Sequence, residues 1–306
     1  MSIKIALVGA GHMGRIHLGK LIELEDVEVL GVVDVDRNAL DNVYKNHRLP
    51  IYEDYKNISD IIDGVVISSP TESHYEIAKY FLERGVHVFI EKPITTEIAQ
   101  GKELVEISDK LNLVLQIGLL ERFNPAIKEA MKHIERPLFI EARRMSSFTG
   151  RSTDIDVVLD MMIHDIDLTL SVVKDDVYEI QAYGMPFVSD KLDMASAWIK
   201  FSSGCTACIT ASRVSVNRER SFAIYESKKR YFVDLLSGRL TGTVIGHGGG
   251  VDTFEYEADK VDSVKEELLE FISSISVGKK PRISGKEGVN ALVIAEKIKK
   301  IAANKS

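Results

Sequence analysis

Three groups of residues in this chain have the types and spacing to do chemistry. Gly9-Ala10-Gly11-His12-Met13-Gly14 follows an apolar run and opens an amphipathic one. In a strand–turn–helix corner, Gly9 permits the tight turn, Gly11 lets backbone N–H groups approach a pyrophosphate, and Gly14 lets helix and strand pack closely. The helix N-terminus contributes about half a unit of positive charge toward the phosphates. Asp34 stands 20 residues past Gly14, where a carboxylate accepts both ribose hydroxyls and repels a 2′-phosphate. The pattern predicts a bound dinucleotide, NAD in preference to NADP, although Arg37 lies close enough to weaken that preference.

The second group is Glu91-Lys92-Pro93, which follows the buried-strand pattern Val86–Ile90. In a parallel sheet the carboxyl ends of strands face the ligand crevice, so a lysine there is placed to act on substrate. Partial desolvation beside a nicotinamide should lower its pKa and fit it to exchange a proton. A solvent-exposed lysine is the plainer alternative. The third group is Asp160, His164 and Asp167 in an otherwise apolar segment. Spaced i, i+4 and i+7, they form one polar stripe on a helix. Unpartnered burial of a carboxylate and an imidazole is costly, so the stripe should line a cavity or a network. Asp160 can orient the His164 ring and stabilise its protonated form. A satisfied structural histidine is the alternative. No companion ligand set of the HExxH or cysteine-rich kind is present, so no metal is expected.

These groups need elements to position them. Up to about residue 120, almost purely apolar runs (Ile3–Val8, Val27–Val33, Gly64–Ser68, Val86–Ile90, Leu113–Gln116) alternate with amphipathic stretches at Met13–Leu24, Arg37–Asn46, Ser73–Arg84 and Ile98–Leu111. That alternation predicts a doubly wound parallel sheet covered on both faces, a Rossmann α/β domain over residues 1–120. Beyond it come a strand at Leu138–Arg144, a helix near Asp154–Val173, and alternating strands with turn signals from Tyr178 to about Tyr256. Helices at Asp262–Val277 and Lys286–Ala303 end the chain. Residues 121–306 therefore read as an α+β domain with a large mixed or antiparallel sheet, and the cleft between the domains is the expected site.

Composition removes other classes. The chain has 306 residues, 45% hydrophobic and 28% charged, and a net charge of −7, an ordinary globular balance whose acidic surface disfavours nucleic acid. Ile3–Val8 is too short to span a bilayer or serve as a leader, so neither membrane nor export is expected. Cys205 and Cys208 are the only cysteines. Three apart in a strand, they point to opposite faces and read as packing in a reducing compartment, the cytoplasm. Arg144 and Arg213 end or follow strands, where a diphosphate contact and a salt bridge are equally open.

The motifs together resemble the Gfo/Idh/MocA family of NAD(P)-dependent oxidoreductases over nearly the whole length. Besides the glycine loop, Ser69-Pro70-Thr71-Glu72-Ser73-His74 resembles that family's Thr-Pro-x-x-x-His segment. Glu91-Lys92-Pro93 matches its Glu-Lys-Pro signature, and Asp160…His164…Asp167 matches its Asp-x-Gly-x-His-x-x-Asp helix, with Met162 in place of glycine. Glu121-Arg122-Phe123-Asn124-Pro125 is similar to the UDP-N-acetylglucosamine 3-dehydrogenase branch, whereas Leu119-Leu120 departs from it. The resemblance implies cofactor contacts at His12, Met13, Ser69, Pro70, His74, Glu91 and Lys92, and substrate contacts at Arg122, Asn124, Asp160 and His164. It implies a dehydrogenase of a sugar or nucleotide sugar, with Lys92, His164 and Asp160 catalytic. A free-sugar or inositol dehydrogenase and a non-catalytic dinucleotide sensor are the alternatives. A homodimer or homotetramer joined through the C-terminal sheet is expected.

Overall fold

Short runs with no polar face can form strands only where both sides are covered, and the first third of the chain meets that condition. A computed structural model describes residues 2–58, 61–150, 155–246, 248–258 and 261–303. Strands β1 (Ile3–Val8), β2 (Val27–Val33), β3 (Ile51–Tyr52), β4 (Gly64–Ile67), β5 (His87–Glu91) and β6 (Leu115–Gly118) alternate with α1 (His12–Ile22), α2 (Arg37–His47), α3 (Thr71–Leu82) and α4 (Ile98–Leu111). All the pairings are parallel, in the order β3-β2-β1-β4-β5-β6. This is the doubly wound Rossmann arrangement, and β4 and β6 are buried at every residue.

The rest of the chain forms α5 (Pro125–Ala130), β7 (Phe139–Met145), α6 (Ile163–Val173), β8 (Val177–Met185), β9 (Met194–Phe201), β10 (Thr206–Ser212), β11 (Glu219–Tyr225), β12 (Lys229–Asp234), β13 (Arg239–Ile245), β14 (Val251–Glu257), α7 (Ser263–Val277) and α8 (Gly285–Ala303). Eight strands make one mixed sheet, ordered β14-β13-β12-β11-β7-β10-β9-β8, in which only β7 and β10 run parallel. In β9, Ala195, Ala197, Ile199 and Phe201 are buried while Met194 and Trp198 face out, the alternation of a sheet with one covered face. Residues 246–250 close the β13–β14 hairpin, with the Gly246 amide donating to the Gly250 carbonyl. His247 lies outside the described residues, as does Asp154 at the start expected for the preceding helix.

The chain divides into two compact units, Met1–Leu119 with Asp262–Val289, and Leu120–Val261 with Asn290–Ser306. The chain passes from the first unit to the second after Leu119, and residues 262–289 group with the first unit and not with the rest of 121–306. Leu268, Phe271 and Ile272 of α7 belong to one buried cluster with Ile5, Leu7, Leu18, Leu21 and Phe89. The apolar stripe of α7 is thus buried on the first sheet's helix layer, and its position in the chain gives no sign of that.

Candidate active site

The glycine loop folds for the reasons its spacing suggested. Gly9 has φ +99° and no room for a side chain: a Cβ would lie 2.6 Å from the backbone at Ser68 and Ser69. A Cβ on Gly14 would lie 1.8 Å from the Gly9 carbonyl oxygen, whereas one on Gly11 would meet nothing within 4 Å. α1 therefore begins pressed against the turn, with open space over Gly11 and no side-chain cap on its first amides. His12 is exposed and Met13 half-buried at that first turn. Just past β2, the half-buried Asp34 accepts the Ala10 amide at 2.6 Å through one carboxylate oxygen and the Asp36 amide at 2.8 Å through the other. Arg37 is spent on Asp41 at 3.1 Å and Glu53 at 3.0 Å.

The turns after β4 and β5 are tied together by His74. Its buried ring places Nδ1 2.9 Å from the Pro93 carbonyl oxygen and Nε2 2.9 Å from the Ser69 carbonyl oxygen. Burial pulls its pKa below the ordinary histidine value. The ring thus braces the turns that carry Ser69, Pro70 and Lys92. Glu91 is buried, with Oε1 2.7 Å from His17 Nε2 and Oε2 accepting the Lys92 amide at 3.2 Å, turned into the protein interior. Lys92 follows it half-buried, at the carboxyl end of the strand.

In the second unit the polar stripe is remade by a turn of π-helix at Val158–Met162 that precedes α6. A π turn closes i→i+5 bonds in place of i→i+4 ones, so the uniform α-helical spacing assumed for Asp160, His164 and Asp167 does not hold through residues 158–162. Asp156 caps this start, accepting the Val158 and Leu159 amides at 3.0 Å each. Asp160 and His164 are half-buried, while Asp167 is buried and clamped by Arg122, whose Nε donates at 2.8 Å and Nη2 at 2.5 Å. Beside them, Arg144 is 2% exposed and donates both Nε and Nη2 to Asp165 at 2.8 Å, and Nη1 to Glu121 at 2.8 Å. Burial alone would lower its pKa, but the two carboxylates hold it above the ordinary arginine value.

Asn124 is buried; its side-chain oxygen accepts the Ala126 amide at 3.0 Å and its amide donates to the Leu235 carbonyl at 3.2 Å. It is the N-cap of α5. The Asn124-Pro125 pair carried that signal, since proline favours the first helical position. Neither Arg144 nor Arg213 is at hand for a diphosphate, because Arg213 is buried against Asp193 at 3.2 Å and the Leu192 carbonyl at 3.0 Å. Cys205 and Cys208 are free thiols, and burial pushes Cys205 up to about 11. The buried trio His17, Glu91 and Glu267 was not anticipated. Its one sequence signal is a histidine on the apolar face of α1 between Gly14, Leu18 and Leu21.

The comparison with known proteins agrees with this geometry. Residues 3–119 match the family model for the oxidoreductase family with an NAD-binding Rossmann fold, and residues 133–232 match the GFO/IDH/MocA C-terminal domain. UDP-N-acetylglucosamine 3-dehydrogenase of Acidithiobacillus ferrooxidans is 31% identical, covering 97% of this chain and 96% of that protein. This chain belongs to the Gfo/Idh/MocA family. A solved structure of that Acidithiobacillus enzyme superimposes with a TM-score of 0.95 at 30% identity, over 99% of this chain and 98% of its own. Myo-inositol 2-dehydrogenase of Thermotoga maritima is 27% identical over 97% of this chain and 96% of its own. The protein is an NAD-dependent oxidoreductase. Its residues fit that cofactor: the uncapped α1 terminus and the open side of Gly11 suit a pyrophosphate, and Asp34 suits an unphosphorylated ribose. No helix among the described residues is long and apolar enough to cross a membrane.

Proposed function

We propose that this oxidoreductase acts on a secondary hydroxyl of a nucleotide sugar, with UDP-N-acetylglucosamine as the first substrate to test and a 3-keto sugar as product. The observation that carries this reading is the near full-length similarity to the Acidithiobacillus enzyme that bears that activity in its name. The inositol dehydrogenases among the relatives make a cyclitol the second reading.

Bound NAD supplies the hydride acceptor. In this scheme the His164 imidazole takes the hydroxyl proton, and Asp160 favours the protonated ring that results. The Lys92 ammonium hydrogen-bonds the same oxygen and stabilises the charge that grows on it as the C–H bond breaks. Glu91 fixes the Lys92 backbone, and His74 fixes the turn that follows. Arg122, locked on Asp167, holds the segment before α5 in place and is assigned no contact with substrate.

NADH absorbance tests the scheme directly. Turnover is expected with UDP-N-acetylglucosamine and not with myo-inositol or free sugars; the reverse pattern replaces the nucleotide sugar with a cyclitol, and tight NAD binding without any turnover favours a sensor. Lys92→Ala and His164→Ala should each lower turnover about a hundredfold or more while leaving NAD affinity nearly unchanged. Wild-type rates in both variants would refute these roles.

Self-association is part of the same reading. Tyr183, Met185, Met194 and Trp198 are exposed apolar side chains of β8 and β9, and the register puts them on one face of the sheet. A homodimer or homotetramer buries them. Trp198→Glu should lower the mass measured by light scattering toward that of one chain; an unchanged mass rules out this face. The two free cysteines suit a reducing compartment, the cytoplasm.

A further inference from the structure

Glu267 of α7 has no exposed surface, and neither of its carboxyl oxygens has a hydrogen-bond partner among the described residues. Gln116 of β6 pins the helix at this point by donating to the Glu267 backbone carbonyl at 2.7 Å. A Glu267 oxygen, a Glu91 oxygen and a His17 ring nitrogen all lie within 4.8 Å of one another. Glu91 is already committed on both sides, to His17 and to the Lys92 amide. A second anion here would face an existing one in a buried site where no described residue donates to it, and a carboxyl group so placed keeps its proton.

The charges around the site support the same end. From α1, Lys20 reaches Asp262 at 3.1 Å and Glu23 receives Lys265 at 3.4 Å, both toward the surface. Glu270 on α7 is taken by Arg282 at 2.7 Å. Burial first, then Glu91 and Asp262, all push the Glu267 pKa well up. A metal ion is the competing occupant, but two ligands of one tetrahedral zinc stand roughly 3.3 Å apart. The 2.7 Å between His17 Nε2 and Glu91 Oε1 is a hydrogen-bond distance.

We infer that Glu267 is a buried proton-binding site: it stands as a neutral carboxylic acid at neutral pH and leaves Glu91 as the single anion of the trio. That proton protects a mechanical link. His17 lies on α1, the helix whose uncapped first turn would receive the cofactor phosphates, and Glu91 precedes Lys92. The His17–Glu91 bond therefore joins the cofactor helix to the lysine turn, and an ionised Glu267 would compete for it.

Urea unfolding of the full chain and of Glu267→Gln, compared between pH 5 and 9, tests the inference without reference to any substrate. A folded-state pKa above the ordinary value of 4.5 gives a contribution that is complete below that value and declines as pH rises toward the folded pKa. Relative to the variant, the wild-type folding constant should fall by up to about tenfold per pH unit across that window. Glu267→Gln should be at least as stable at pH 8 and bind NADH within about twofold of wild type. A wild type that gains on the variant as pH rises, a difference that does not change with pH, or a stoichiometric metal lost in the variant would each overturn it. Should the variant fail to fold, infrared spectra of the wild type at pH 7 must show a protonated-carboxyl band that shifts on ¹³C-glutamate labelling; no such band overturns the inference too.

Discussion

Asp193 and Glu267 both have no exposed surface, yet their surroundings drive them to opposite charge states. One Asp193 oxygen accepts the Phe187 and Val188 amides at 2.7 Å and the Ser189 amide at 2.9 Å; the other accepts the Ser189 hydroxyl at 2.8 Å and lies 3.2 Å from Arg213. Burial pushes its pKa up, but the three amides and the hydroxyl outweigh burial and hold it down at about 2. Glu267 receives no donor and is pushed the other way. Loss of exposed surface alone does not decide the charge of an acid. What decides it is how many N–H groups the local backbone aims at the carboxylate.

The sharpest way to break the comparison is to remove donors from acids that depend on them. Arg144→Met removes the guanidinium from Asp165 and leaves Glu121 with Arg220 at 3.8 Å, and urea unfolding should show a loss of about 3–5 kcal/mol. A loss below about 1 kcal/mol would mean the cluster is not held by charge. Replacing Arg144, Glu121 and Asp165 together with apolar residues of similar volume should recover most of that loss, because the interior then contains no unpaired ion. Asp193 gives a smaller, pH-dependent effect. Its folded pKa of about 2 lies below the ordinary 3.8, so its contribution is present above about pH 4 and lost as pH falls through 2. That loss amounts to about 2 kcal/mol in wild type and should be missing from Asp193→Asn. Equal acid sensitivity in both chains would assign the low-pH unfolding to other carboxylates.

Legibility of the sequence followed how local each signal was. α4 begins and ends at the residues its pattern indicates, Ile98 and Leu111. Gly9 and Gly14 do in the fold what their spacing suggested, because both constraints act within one turn of chain. β3, with two residues, is too short to leave a period. Arg144 and Asp165 are joined across 21 residues, and Gln116 meets α7 across 151; no periodicity reports such partners. The stripe of Asp160, His164 and Asp167 assumed an unbroken α-helix, and the π turn removed that assumption. Glu91 and His74 read as ligands because they stand in family motifs; Glu91 is bonded to His17 of α1, and His74 to the turns after β4 and β5.

Asp34 links two traits that protein engineers usually treat as separable. The carboxylate suited to a ribose also braces the Ala10 and Asp36 amides. A swap to serine or alanine meant to welcome a phosphorylated coenzyme would also slacken the loop that grips any coenzyme. Redesign toward the phosphorylated form must therefore supply a substitute brace for Ala10 before it adds a cation.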